Sequence, residues 1–181
     1  MPRDESAPMG GRAAWTVLAF LGALLIRVVP GALQGAVDYD EGVYLSGAMA
    51  LAHGRFPWRD FVFLHPPGIL AWLAPFTWLA PKTALLVARA VTACVGALNV
   101  VLVARIVRGW AGVCAALFFA TWWETVLTDR GVFLEPLMNA AGLGALALVS
   151  LPATTRRAVL AGVLCAASVA LKLWGGVWCL L

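Results

Sequence analysis

Residues 83–104 read TALLVARAVTACVGALNVVLVA, an apolar stretch broken by one charge, Arg89. At 1.5 Å per residue it makes about 33 Å of helix, enough to cross about 30 Å of hydrocarbon. Behind it lies the short basic connection Arg105-Ile106-Val107-Arg108. Outward in both directions the theme repeats, with apolar runs at residues 13–29, 110–127, 135–151 and 158–181. The expected fold is an all-α polytopic membrane protein with about five transmembrane helices. Composition agrees, since the 181 residues are 62% hydrophobic and 12% charged with a mean hydropathy of +0.90. A soluble domain is nearer half apolar and a quarter charged, and a disordered or collagen-like chain is excluded outright.

Two polar stretches interrupt the runs. Residues 1–12 read as a cytoplasmic tail, and residues 30–82 as a long first outer loop. Within that loop, Glu41 to Ala52 predicts a short helix along the membrane surface, closed by Gly54 and Pro57. Residues 68–80 are apolar, but between Pro66-Pro67 and Pro81 they cover only about 20 Å, a re-entrant or interfacial helix rather than a span. A cleavable signal peptide shares with residues 13–29 the preceding Arg12 and an end near Gly35-Ala36. Arg27 inside the run and the later apolar segments favour a retained helix.

Basic residues orient the bundle. Arg3, Arg12, Arg105, Arg108, Arg156 and Arg157 fall on one side; Arg55, Arg59, Lys82 and Arg130 are spread along the other. The positive-inside rule puts the short basic connections and the N-terminus in the cytoplasm of a multi-pass cell-membrane protein. Asp38, Asp40, Glu41, Asp60, Glu124, Asp129 and Glu135 then gather at the outer face, Asp60 and Asp129 as ordinary solvated loop charges. The net charge of +4 is a topology signal, and no basic run tracks a nucleic acid. Cys94, Cys114, Cys165 and Cys179 lie in apolar runs without metal-site or disulfide spacing and read as buried free thiols.

Three cations sit inside the expected helices. Arg27 and Lys172 each lie about 21 Å above a cytoplasmic helix start, and Arg89 about 9 Å below an outer one, so all three share a depth. A charge at such a depth needs a partner. Two readings stand: ion pairs with Glu124 or Glu135, or one shared anionic ligand such as a lipid phosphate.

Asp40-Glu41 after the first helix, Tyr44, the motif Gly54-Arg55-Phe56-Pro57-Trp58-Arg59-Asp60 and His65-Pro66-Pro67-Gly68 together resemble the first outer loop of the C-type (GT-C) membrane glycosyltransferases. The similarity is to the branch of protein O-mannosyltransferases and aminoarabinose transferases. Arg130 with Glu135-Pro136 resembles that branch's second motif, and Lys172 a further helix feature. The resemblance implies that residues 13–181 are the N-terminal part of a larger glycosyltransferase domain. It implies inverting transfer of a sugar from a polyprenyl-phosphate donor to a lipid, glycan or protein acceptor at the outer face. Asp40 matches the family's catalytic acid, Glu41 completes its Asp-Glu pair, and His65 falls at a position often basic in relatives.

The residues support the same chemistry directly. An acceptor hydroxyl needs a carboxylate base, here Asp40, and a leaving phosphate needs cations, here Arg27, Arg89, Arg130 and Lys172. Glu135, before Pro136, sits where a carboxylate caps or serves the start of a helix. Asp38 and Asp40 also spell an acid pair suited to Mg²⁺ or Mn²⁺, and no other cofactor is expected. The rival class is a non-enzymatic transporter or lipid flippase, whose polar groups belong near the midplane on broken helices.

Overall fold

A computed structural model describes residues 9–33 and 35–180. The expected tail, including Arg3, Asp4 and Glu5, lies outside these residues apart from its last four positions. Among the described residues eight α-helices form: α1 (Met9–Leu33), α2 (Tyr39–Ala52), α3 (Gly68–Leu73), α4 (Pro81–Val107), α5 (Gly109–Thr121), α6 (Trp123–Asp129), α7 (Glu135–Val149) and α8 (Thr155–Leu171). Two 3-10 segments, Ala74–Trp78 and Leu173–Leu180, follow α3 and α8. The described residues contain no β-strand, only an isolated bridge between Pro57 and Phe61.

Helix α4 is the axis of the bundle, packed by α1 and α5 on one side and by α7 on another. Small residues make this possible, because they let helix backbones approach closely. Ala97 and Val100 bury against Ala19 and Ala23 of α1 and Ala116 and Ala120 of α5. A second core lies at the Pro81 end, where Leu85 and Ala88 meet Tyr44, Ile69, Leu70, Leu73, Val132 and Leu134. It holds α2 and α3 down onto the bundle. Gly68–Trp78, made of α3 and the 3-10 segment after it, is a shorter apolar helix than the candidate spans.

Among the described residues two helices are long and apolar enough to cross a membrane, α1 over Ala13–Leu33 and α4. Helices α5 and α6, bent by 62° at Trp122, make a third if taken as one span. The remaining two expected spans are shorter: α7 has 15 residues and α8 has 17, about 22 and 26 Å.

Three boundaries differ from the sequence reading. Helix α1 continues through Pro30 to Leu33, because Pro30 stands in the final turns and Arg89 supplies a donor to the Gly31 carbonyl. The expected straight helix 110–127 breaks at Trp122. The expected span 158–181 stops at Leu171: Lys172 is extended, and the 3-10 segment folds back along α8, bringing the Trp178 carbonyl to the Cys165 thiol at 3.8 Å. The thiols also differ, since Cys94, Cys114 and Cys179 face outward rather than inward. In a helix bundle whose outer surface is apolar, facing outward costs a thiol nothing.

Candidate functional site

The site begins at the first turn of α2. Asp38 is its N-cap, accepting from the Asp40 N–H at 3.0 Å, while the Glu41 carboxylate reaches back to the Asp38 N–H at 3.0 Å. This is a capping box, and it fixes both acids on the helix start. Glu41 is fully buried. Its carboxylate accepts from Arg89 Nε at 2.8 Å and Nη2 at 2.5 Å, and from the Val132 N–H at 2.9 Å. Burial by itself would raise the Glu41 pKa. The Arg89 guanidinium and the N–H groups of Asp38 and Val132 outweigh it and hold the carboxyl below its ordinary value. Arg89 also donates to the carbonyls of Gly31 and Ala36, so this one pair ties α1, α2, α4 and the loop before α7.

All four lone-pair directions of Glu41 are therefore occupied. Its expected part as a catalytic acid is corrected to that of an anchor, because a buried carboxylate with four donors has no free oxygen for a substrate. Asp40, one residue earlier, is different. Its backbone N–H is capped, it is half-buried, and its carboxylate has no hydrogen bond or ion pair among the described residues.

Near Asp40 the fold gathers aromatic and charged groups. Tyr44, one helical turn on, is buried with its ring edge-on to Phe63 and His65, at centroid distances of 6.2 and 6.0 Å. Burial raises the Tyr44 pKa, and the negative charges of Asp40, Glu135 and Asp38 raise it further. The phenol keeps its proton. Glu135, at the start of α7, pairs with Lys172 at 2.5 Å, with both side chains about a third exposed. Asp40, Tyr44, His65, Glu135 and Lys172 thus share one neighbourhood.

The other cations are placed elsewhere. Arg27 is fully buried and donates to Asp129 at 2.7 Å, and to the carbonyls of Ala23 and Ala120 at 3.2 and 2.9 Å. Ala120 lies in the last turn of α5, whose carbonyls lose helical partners at the break. Asp129, read as a solvated loop charge, is instead buried, and Gly96 makes room for it, since a Cβ there would overlap the carboxylate. The expectation that Arg27, Arg89 and Lys172 face one phosphate is corrected by these contacts. Each has its own carboxylate, because an isolated charge inside a helix bundle is too costly to leave unpaired. Of the expected phosphate ligands, Arg130 and His65 have no hydrogen bond or ion pair among the described residues.

Asp38 spends one oxygen on its cap, and no group of three or more His, Cys, Asp or Glu side chains gathers among the described residues. Asp38 and Asp40 therefore form a two-carboxylate set at most. Sequence reasoning quoted Tyr44 without giving it a role and missed Asp129 as a buried partner. The capping box was legible as Asp38-x-x-Glu41; the pairing of Arg27 with Asp129, 102 positions apart, had no local signal. No family model, curated protein or solved structure matches the chain.

Proposed function

We propose that the chain belongs to a membrane-embedded glycosyltransferase that moves a sugar from a polyprenyl-phosphate carrier to an acceptor, with Asp40 as general base. One observation carries the reading. Of the seven acids along residues 38–135, Glu41, Asp60, Asp129 and Glu135 are each paired with a cation and Asp38 is a helix cap. Asp40 is left uncommitted and half-buried, on a helix start that buried Glu41 holds in place. Glu124, the other unpaired acid, is exposed at the start of α6.

In the proposed step the acceptor oxygen attacks the anomeric carbon while its proton passes to the Asp40 carboxylate. The bond from that carbon to the phosphate oxygen breaks on the opposite face, and the polyprenyl phosphate leaves with the electron pair. Attack opposite the leaving group inverts the anomeric centre. Lys172, positioned by Glu135, supplies positive charge, and His65 a ring N–H donor, for the leaving phosphate. In this reading α7 and α8 complete a five-span bundle, with Asp40 at the outer face of the cell membrane.

The test uses the full chain in lipid nanodiscs with a panel of polyprenyl-phosphate monosaccharides, following release of free polyprenyl phosphate. Asp40→Asn keeps shape and removes the proton acceptor, so release falls by about 10²-fold or more while polyprenyl-phosphate binding persists. Release by Asp40→Asn at the parent rate removes the proposal. A transporter or flippase would give no release from either protein.

A further inference from the structure

Two thiols with no disulfide spacing in the sequence meet where the chain folds back. Cys165 stands on α8 and Cys179 on the 3-10 segment Leu173–Leu180, each seven residues from Lys172, where the direction reverses. Seven residues make about 10 Å of α-helix and about 14 Å of 3-10 helix, so the two stand at nearly one level below the turn. Contact follows from that. The Cys165 thiol donates to the Trp178 carbonyl at 3.8 Å, and the Cys165 and Cys179 thiols are hydrogen-bonded to each other.

Specific packing holds the reversal. Gly142 of α7 leaves room for the Trp178 ring, which any Cβ there would overlap, and Gly175 lets the segment press on the Ser168 carbonyl of α8. Ser168 in turn donates to the Met138 carbonyl of α7 at 3.0 Å, and the Gly175 N–H closes the turn on the Lys172 carbonyl at 2.8 Å. Two thiols already in contact meet the distance condition on which most cysteine pairs fail. Their surroundings decide which reagent reaches them. Cys179 is exposed and Cys165 half-buried, and beside them Leu173, Trp174, Val177 and Leu180 turn more than half of their surface outward. In a chain with helices long enough to cross a membrane, lipid covers such a surface. A water-borne oxidant does not dissolve there.

We infer that Cys165 and Cys179 are a redox pair that a lipid-soluble quinone oxidises to a disulfide, locking the fold-back at Lys172. In that step two S–H bonds break and one S–S bond forms; two electrons and two protons pass to the quinone, which leaves as the quinol. Reactants and products are all neutral, so no charge is left in the apolar phase. The closed loop contains Lys172 and holds that lysine against Glu135. The inference rests on the fold-back alone and does not depend on the transfer reaction proposed for Asp40.

The test exposes the full chain, reduced and in lipid nanodiscs, to decylubiquinone or to glutathione disulfide, then alkylates it with N-ethylmaleimide and digests it with trypsin. All four cysteines are alkylated before exposure and only Cys94 and Cys114 after the quinone. Trypsin cuts after Arg157 and Lys172, which puts Cys165 and Cys179 on separate peptides, so the disulfide appears as one linked pair. Glutathione disulfide, confined to water, forms it more slowly. Cys165→Ser and Cys179→Ser each abolish the link, while Cys94→Ser with Cys114→Ser, both at exposed positions, keeps it. Closing the loop raises the unfolding midpoint of the oxidised parent by about 5 °C or more, a gain absent from Cys179→Ser. Four free thiols after the quinone, a quinone adduct without a disulfide, or links to Cys94 or Cys114 in equal yield overturn the inference. Equal rates with the two oxidants overturn the quinone assignment, and an unchanged midpoint in the linked protein overturns the lock.

Discussion

Replacing Arg89 by Met is expected to destabilise the chain by about 3–5 kcal/mol, as breaking one half of a buried ion pair does. The structure supplies the terms. Glu41 loses two charge-assisted bonds, from Nε at 2.8 Å and Nη2 at 2.5 Å, and keeps only the N–H groups of Asp38 and Val132. Bonds to a charged group are worth about 1.5–3 kcal/mol each, so two give a loss of the stated size. With Glu41 fully buried, water cannot replace them. Removing both partners is a different perturbation: Arg89→Met with Glu41→Leu leaves no stranded charge and recovers a coupling energy of at least about 2 kcal/mol. Lys172→Met is the internal control, because the Lys172–Glu135 side chains are about a third exposed and worth about 1 kcal/mol or less. Equilibrium unfolding in mixed detergent micelles, followed by the fluorescence of the nine tryptophans, measures the parent, the two single mutants of the pair, their double mutant and Lys172→Met. A single Arg89→Met cost below about 1 kcal/mol, or a double mutant equal to the sum of its singles, would refute the reasoning.

Further outcomes follow from the same contacts. The Glu41 carboxyl titrates below its ordinary 4.5 in the folded chain, so its stabilisation is complete above about pH 4.5 and is lost as pH falls through the depressed value. Unfolding midpoints measured from pH 7 to pH 3 should show this acid limb in the parent and a flatter one in Glu41→Gln. Gly96→Ala drives a methyl into the Asp129 carboxylate and costs about 1–3 kcal/mol, while Gly162→Ala, with open space around it, costs nothing measurable; equal behaviour of the two counts against the packing described. Cysteines placed at Arg59 and Arg157, in a background without native cysteines, should label from opposite faces of the membrane with an impermeant thiol reagent. Labelling from one face refutes the expected topology.

Hydropathy and local punctuation determined most of the helices. The apolar runs at residues 83–104 and 135–151 became α4 and α7 with ends shifted by three residues or fewer. Asp38-x-x-Glu41 and Gly54 bracketed α2, and the prolines at 66, 67 and 81 kept residues 68–80 short. These signals act within a turn or two of chain, where capping bonds and proline sterics operate, so a sequence displays them openly.

What the tertiary structure alone decided is the fate of the charges. The sequence places Arg27, Arg89 and Lys172 at one expected depth, which suits one shared anion as well as three separate pairs. Their carboxylates lie 102, 48 and 37 positions away, and only the packing of α1, α2, α4, α7 and the break at Trp122 brings them within reach. The same packing makes Glu41 an anchor while its neighbour Asp40 stays uncommitted. It also reverses the chain at Lys172, where an unbroken apolar run had predicted a longer helix. The cost of an unpaired charge among apolar helices acts through space, and neighbours in space are not encoded by neighbours in sequence.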